Sequence, residues 1–207
     1  ATGSWSVAEA QGYGDGEQLP LSHLVQIVER IALTVDVPLS VDFEGGYAAG
    51  GAQLTDNVGL IAEAGAVGIN FEDQIVGGTG LYGIEEQSER LRAVRAADTK
   101  LFINARTDLF LKQKDASRHA DLMDETIQRA KAFAGAGASG FFVPGLVDLD
   151  LITQICKASP LPVNVMMRGG AMTREAVAKA GVARCSYGPQ PFVQSMQTLA
   201  EAYLALT

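Results

Sequence analysis

VPLSVDFEGG, residues 37–46, alternates in character along an extended chain: Leu39, Val41 and Phe43 fall on one side, Ser40, Asp42 and Glu44 on the other. Two later runs repeat the pattern. Asn70 and Glu72 oppose Ile69 and Phe71, Asn104 and Arg106 oppose Ile103 and Ala105, and Asn164 adds a polar group on a further run. In a doubly wound sheet the central strands are apolar on both faces, because helices cover both. Polar side chains that gather toward the C-terminal ends of parallel strands instead describe the lumen of a barrel. The pattern therefore predicts an α/β protein, a (β/α)8 TIM-type barrel.

Outward from this segment, six strand-like runs (37–43, 66–71, 100–105, 140–143, 161–165, 182–186) alternate with helical spacing at 21–34, 54–64, 84–97, 119–134, 149–158, 174–180 and 191–206. Strict strand–helix alternation means crossover connections and parallel strands. Gly65, Gly137 and Gly181 each stand between an alanine and a strand run and read as helix C-caps. Ala1–Trp5 is expected to be a seventh strand, which leaves the barrel one strand–helix unit short at its N-terminus. No Pro/Ser-rich linker or charge block divides the chain, so 1–207 reads as one barrel domain.

Composition narrows the function classes. Sixteen basic against 24 acidic residues give a net charge of -8, which repels a phosphate backbone and argues against nucleic acid. No apolar run approaches the ~20 residues of a membrane span. No basic, apolar leader opens the sequence, and Cys156 and Cys185 lack both metal-type spacing and a disulfide framework, so a reducing cytoplasm is expected. Both thiols read as buried and inert.

Asp42 and Glu44, two apart on a strand, repel one another unless a cation lies between them. Glu72 at the next strand end is placed to add a third oxygen. An all-oxygen set suits Mg2+ or Mn2+, whereas Zn2+ would want His or Cys, and His23 and His119 sit in helical stretches. The bland alternative is solvated acids near a helix N-terminus. Arg106 either neutralises these acids or, where a metal already does so, grips a substrate carboxylate through its two-pronged fork. The Arg168-Gly169-Gly170-Ala171 stretch is a candidate phosphate loop or a plain surface loop. The glycine-rich Val76–Gly83 is a connection or a lid.

At these residues the sequence resembles the isocitrate lyase/phosphoenolpyruvate mutase superfamily, through SVDFEGGYA (40–48), GINFEDQ (68–74), NARTD (104–108) and GYGDGE (12–17). The resemblance implies an (α/β)8 barrel, Mg2+ held by Asp42, Glu44 and Glu72 together with Asp15, and a substrate acid bound by Arg106. It also implies 2-oxo acid contacts from Gly3, Ser4 and Trp5, and dimers or tetramers with exchanged C-terminal helices. The lyases of that family carry a K-x-C-G-H loop where this chain has Ile75-Val-Gly-Gly-Thr-Gly-Leu-Tyr82, without Cys or His. Their sixth-strand glutamate falls on Gly145. The resemblance is therefore to a cysteine-free branch, oxaloacetate decarboxylase-like or phosphonopyruvate hydrolase-like.

The expected activity is a carbon–carbon lyase, a Mg2+-dependent decarboxylase of an oxaloacetate-like 2-oxo acid acting through a metal-stabilised enolate. Arg106 holds the distal group, Asn164 adds a substrate contact and Tyr82 is a conceivable proton donor. A hydrolase or retro-aldol enzyme on the same platform, and a catalytically idle 2-oxo acid binder, are the alternatives.

Overall fold

A computed structural model describes residues 1–170 and 172–206; Ala171, the end of the candidate phosphate loop, and Thr207 lie outside it. The chain runs α1 (Ser4–Ala10), α2 (Leu21–Ala32), β1 (Leu39–Asp42), α3 (Gly51–Glu63), β2 (Ala66–Glu72), α4 (Ile84–Ala97) and β3 (Phe102–Arg106). It continues through α5 (Leu109–Lys112), a 3-10 helix (Ala116–Leu122), α6 (Met123–Gly135), β4 (Gly140–Phe142), α7 (Leu149–Ala158), β5 (Val163–Met166), α8 (Arg174–Lys179), β6 (Arg184–Ser186) and α9 (Gln190–Leu204). No helix among the described residues is long and apolar enough to cross a membrane.

Among the described residues all six strands are parallel, and each pairs with the next in sequence, β1 through β6. A doubly wound sheet reverses direction at a switch point; this one never does. Arg184 on β6 donates from Nη2 to the Ser40 hydroxyl on β1 at 3.3 Å, so the two edge strands curl toward one another. The result is a six-stranded parallel half-barrel, whereas a closed barrel has eight strands.

Leu39, Val41, Phe43, Ile69, Phe71, Ile103 and Ala105 are all buried in the layer between the sheet and its helices, as the alternation predicts. Helix-start residues follow the usual chemistry: Asp148 accepts from the amides of Asp150 and Leu151 to open α7, and Thr173 accepts from Ala176 to open α8. Gly65, Gly137 and Gly181 have φ of 104°, 99° and 95° just past α3, α6 and α8, the left-handed geometry expected of a residue that turns a helix into a strand.

Ala1–Trp5 does not form the expected seventh strand. The Thr2 amide donates to the Ser40 carbonyl beside β1 (2.9 Å), but α1 has begun by Ser4. The cause lies far away in sequence. Gly3 offers no side chain to cap α1; instead the Ser4 amide and hydroxyl both donate to Asp42 Oδ2, each at 3.2 Å. A carboxylate supplied by β1 thus caps the helix, and its charge suits that end of the helix dipole. The helix expected over 119–134 also starts later, at Met123, and His119 is buried in the 3-10 helix, with Nε2 3.0 Å from the Gln113 carbonyl.

Candidate active site

Two adjoining cavities open where the strands end, and Ser4, Asp15 and Arg106 line both. The larger, about 670 Å3, also meets Gly3, Trp5, Asp42 and Asn70; the smaller, about 250 Å3, meets Glu44, Glu72, Gln74 and Asp108. The chain thus brings together Gly3, Ser4, Trp5, Asp15, Asp42, Glu44, Glu72 and Arg106. Two other expected residues stay out. Tyr82 lines neither cavity, because its ring lies over the Arg90 guanidinium, 4.1 Å from the ring centroid. Asn164, 1% exposed, lines neither cavity, and its amide N and O are buried without a hydrogen-bond partner. Conversely both thiols, expected to be buried, are only partly so, and Cys185 lines the larger cavity.

β1 ends at Asp42, so the two-residue strand period does not carry through to Glu44, whose φ is 49°. Glu17 (58°) and Tyr47 (56°) share this uncommon left-handed backbone, and all three meet at one junction. The Glu17 amide donates to Glu44 Oε2 at 3.0 Å, and Glu17 Oε1 accepts from the Tyr47 amide at 2.8 Å. These bonds dock the Gly12–Glu17 loop, and Asp15 with it, onto the turn after β1. Arg90 braces that turn from below through the carbonyls of Gly45, Ala48 and Ala49. Gly46 has no room for a side chain, since an added Cβ would stand 2.4 Å from Leu54 Cδ1.

Arg106 is the charge centre of the site. Its Nη1 pairs with Glu72 Oε2 at 2.9 Å, while Nε and Nη2 grip both oxygens of Asp108 at 2.6 and 2.9 Å. Burial opposes its charge, but these two carboxylates more than offset that and hold its pKa above the usual value. Glu72 is pushed well upward by burial, with Arg106 pulling the other way. Behind Arg106 stands Asp73, fully buried, which accepts from the Asp108 amide at 2.9 Å and pairs with Arg129 Nη1 of α6 at 2.9 Å. Nothing in the sequence pattern singled out a separate role for Asp73 and Asp108, although they lie within GINFEDQ and NARTD.

Among the described residues no three Asp, Glu, His or Cys side chains form a group able to hold a metal ion by themselves. Glu72 is engaged by Arg106 rather than left free as a ligand. A hard dication such as Mg2+ keeps several of its waters and needs only one or two carboxylates. Asp42 fits that demand: Oδ2 is held by Ser4, and Oδ1 is buried with no hydrogen-bond partner. Burial, then the charge of Asp15, push the Glu44 carboxyl up to about 7, the signature of acids crowded without a countercharge.

A carboxyl raised in the folded state binds more protons folded than unfolded between about 4.5 and 7. Stability contributed by this group therefore falls as pH rises through that window. In chelator, wild type is expected to lose more stability than Glu44→Gln between those pH values, and Mg2+ is expected to narrow the difference. Parallel urea midpoints for the two proteins across the window would contradict this.

Comparison with known proteins agrees with this geometry. Residues 1–207 match the phosphoenolpyruvate phosphomutase family. A crystal structure from Burkholderia cenocepacia J2315, provisionally named a phosphonomutase, is 41% identical with a TM-score of 0.95, covering 100% of this chain and 83% of that one. Oxaloacetate decarboxylase of Ectopseudomonas mendocina is 27% identical over 183 residues, 84% of this chain and 59% of that enzyme's length. The fold is shared with phosphonopyruvate hydrolase, solved with oxalate and Mg2+, at 22% identity and a TM-score of 0.85, covering 99% of this chain and 72% of that one. The chain belongs to the phosphoenolpyruvate phosphomutase family, within the isocitrate lyase/phosphoenolpyruvate mutase superfamily.

Proposed function

We propose that the chain is a divalent-cation-dependent carbon–carbon lyase that decarboxylates an oxaloacetate-like 2-oxo acid. The observation that carries this is the unpartnered, buried Asp42 Oδ1 in the same cavity as Arg106. Similarity to the oxaloacetate decarboxylase supports the substrate class, and the Mg2+ and oxalate of the hydrolase support the cation.

Breaking the bond from C3 to its carboxylate leaves an electron pair that must delocalise onto the keto oxygen. Mg2+ or Mn2+ would be held by Asp42 together with Asp15, Glu44 and Glu72 and would supply positive charge there. Ser4 fixes the orientation of Asp42 by gripping Oδ2 with its amide and hydroxyl. Arg106 has five N–H donors, and those not engaged by Glu72 and Asp108 remain for a substrate carboxylate. With Tyr82 turned onto Arg90, the proton for C3 after CO2 leaves comes from water or from Cys185 or Tyr187, which line the larger cavity.

The test is turnover of oxaloacetate with product analysis. Pyruvate and CO2 are expected; oxalate and acetate would instead identify a hydrolase on the same platform. Chelation is expected to abolish turnover and Mg2+ or Mn2+ to restore it. Asp42→Ala should lose cation-dependent oxalate binding, measured by calorimetry. Oxalate affinity unaltered in chelator would overturn the metal assignment.

A further inference from the structure

The larger cavity is two-sided, and the division follows strand order. β1 to β3 contribute Asp42, Asn70 and Arg106, whereas β4 and β5 contribute Phe142 and Met166; Arg168 just after β5 and Ser186 of β6 are polar groups that reach the cavity from this second side. Phe142 is the direct register neighbour of Arg106, so charge and hydrocarbon adjoin across this pair of strands. Two elements outside the sheet extend the apolar side. Trp5 of α1 and Phe192 of α9 both line the cavity and meet edge to face, with ring centroids 5.9 Å apart.

A four-carbon 2-oxo diacid held by Asp42 and Arg106 has no apolar group to set against the aromatic pair. Aromatic faces carry much of the energy when they close over an apolar group. We propose that the substrate is a 2-oxo acid bearing a bulky apolar group on C3, branched-alkyl or aryl, which enters between Trp5, Phe142, Met166 and Phe192. This rests on the 2-oxo acid reading above and names the substrate class of that same site.

Trp5 is the single tryptophan of the chain, so its emission reports the apolar side directly. The experiment titrates the protein in Mg2+ with oxalate, pyruvate, 4-methyl-2-oxopentanoate and phenylpyruvate, by calorimetry and by Trp5 fluorescence. Phenylpyruvate is expected to bind about tenfold or more tightly than pyruvate, roughly the gain from burying two methylene-sized groups, and to shift the emission. Phe192→Ala should bring the ratio of the two affinities to within about threefold, and Phe192→Leu, which keeps apolar volume, should retain an intermediate preference. Oxalate and pyruvate binding with no gain for phenylpyruvate would overturn this inference alone, as would an unchanged ratio in Phe192→Ala. Absence of cation-dependent binding by all four ligands would overturn the 2-oxo acid reading and the inference with it.

Discussion

Asp73→Ala is expected to destabilise the fold by about 3–5 kcal/mol, the cost of breaking a buried ion pair by removing one partner. Arg129 is only 4% exposed and would keep Glu125, at 2.7 Å, as its remaining carboxylate. Glu125 is half-exposed and lies on the same helix, so it screens poorly and cannot replace the contact to the sheet. The Asp108 amide would also lose its acceptor. Burial pushes the Asp73 carboxyl up to about 6 in spite of Arg129, so the pair is held at a desolvation cost that its mutual attraction only partly offsets. Removing the acid recovers that cost for one partner and strands the other. Urea denaturation of wild type and Asp73→Ala measures the difference. A loss below ~1 kcal/mol would mean that Arg129 finds water or another partner. Asp73→Asn should fall between, since it keeps an acceptor for Asp108 and lacks only the charge.

Arg106→Lys is expected to remove about 2–4 kcal/mol of transition-state stabilisation, roughly 30- to 1,000-fold in kcat/KM for the 2-oxo acid that is turned over. Charge is conserved in this change, so the effect isolates geometry. The guanidinium holds Asp108 with two nitrogens and Glu72 with the third while facing both cavities. An ammonium is a compact point charge and cannot span both carboxylates in one plane and still present a donor to substrate. Glu72 would lose its countercharge in a site where burial already pushes its carboxyl upward. Steady-state kinetics with the fold verified by circular dichroism is the measurement. A variant within twofold of wild type would show that Arg106 balances Glu72 and Asp108 and does nothing for the reaction.

The barrel-type parallel sheet, though not its number of strands, was legible from residues 37–46 and their two repeats because side-chain direction in a strand is a local property of period two. The same periodicity put Asp42, Asn70, Asn104 and Arg106 on one face, where the structure has them buried in the lumen or lining the cavities. Helix ends at Gly65, Gly137 and Gly181 were equally legible, since a left-handed turn selects glycine whatever surrounds it. α1 was not, because its cap comes from Asp42, 38 residues away in sequence. Glu44 departs from the strand period for a related reason: the strand stops at Asp42, and the Glu17 amide, arriving from a separate loop, takes the carboxylate. Tyr82 looked like a proton carrier by its place in a glycine-rich loop; a buried arginine drew its ring away. The roles of Asp73 and Asp108 as supports of Arg106 depend on α6 delivering Arg129 to the end of β2. Which polar groups exist and which face they take follows from local chain geometry. Which of them stays free for a ligand depends on long-range ion pairs and hydrogen bonds, and those form only once distant elements have packed together.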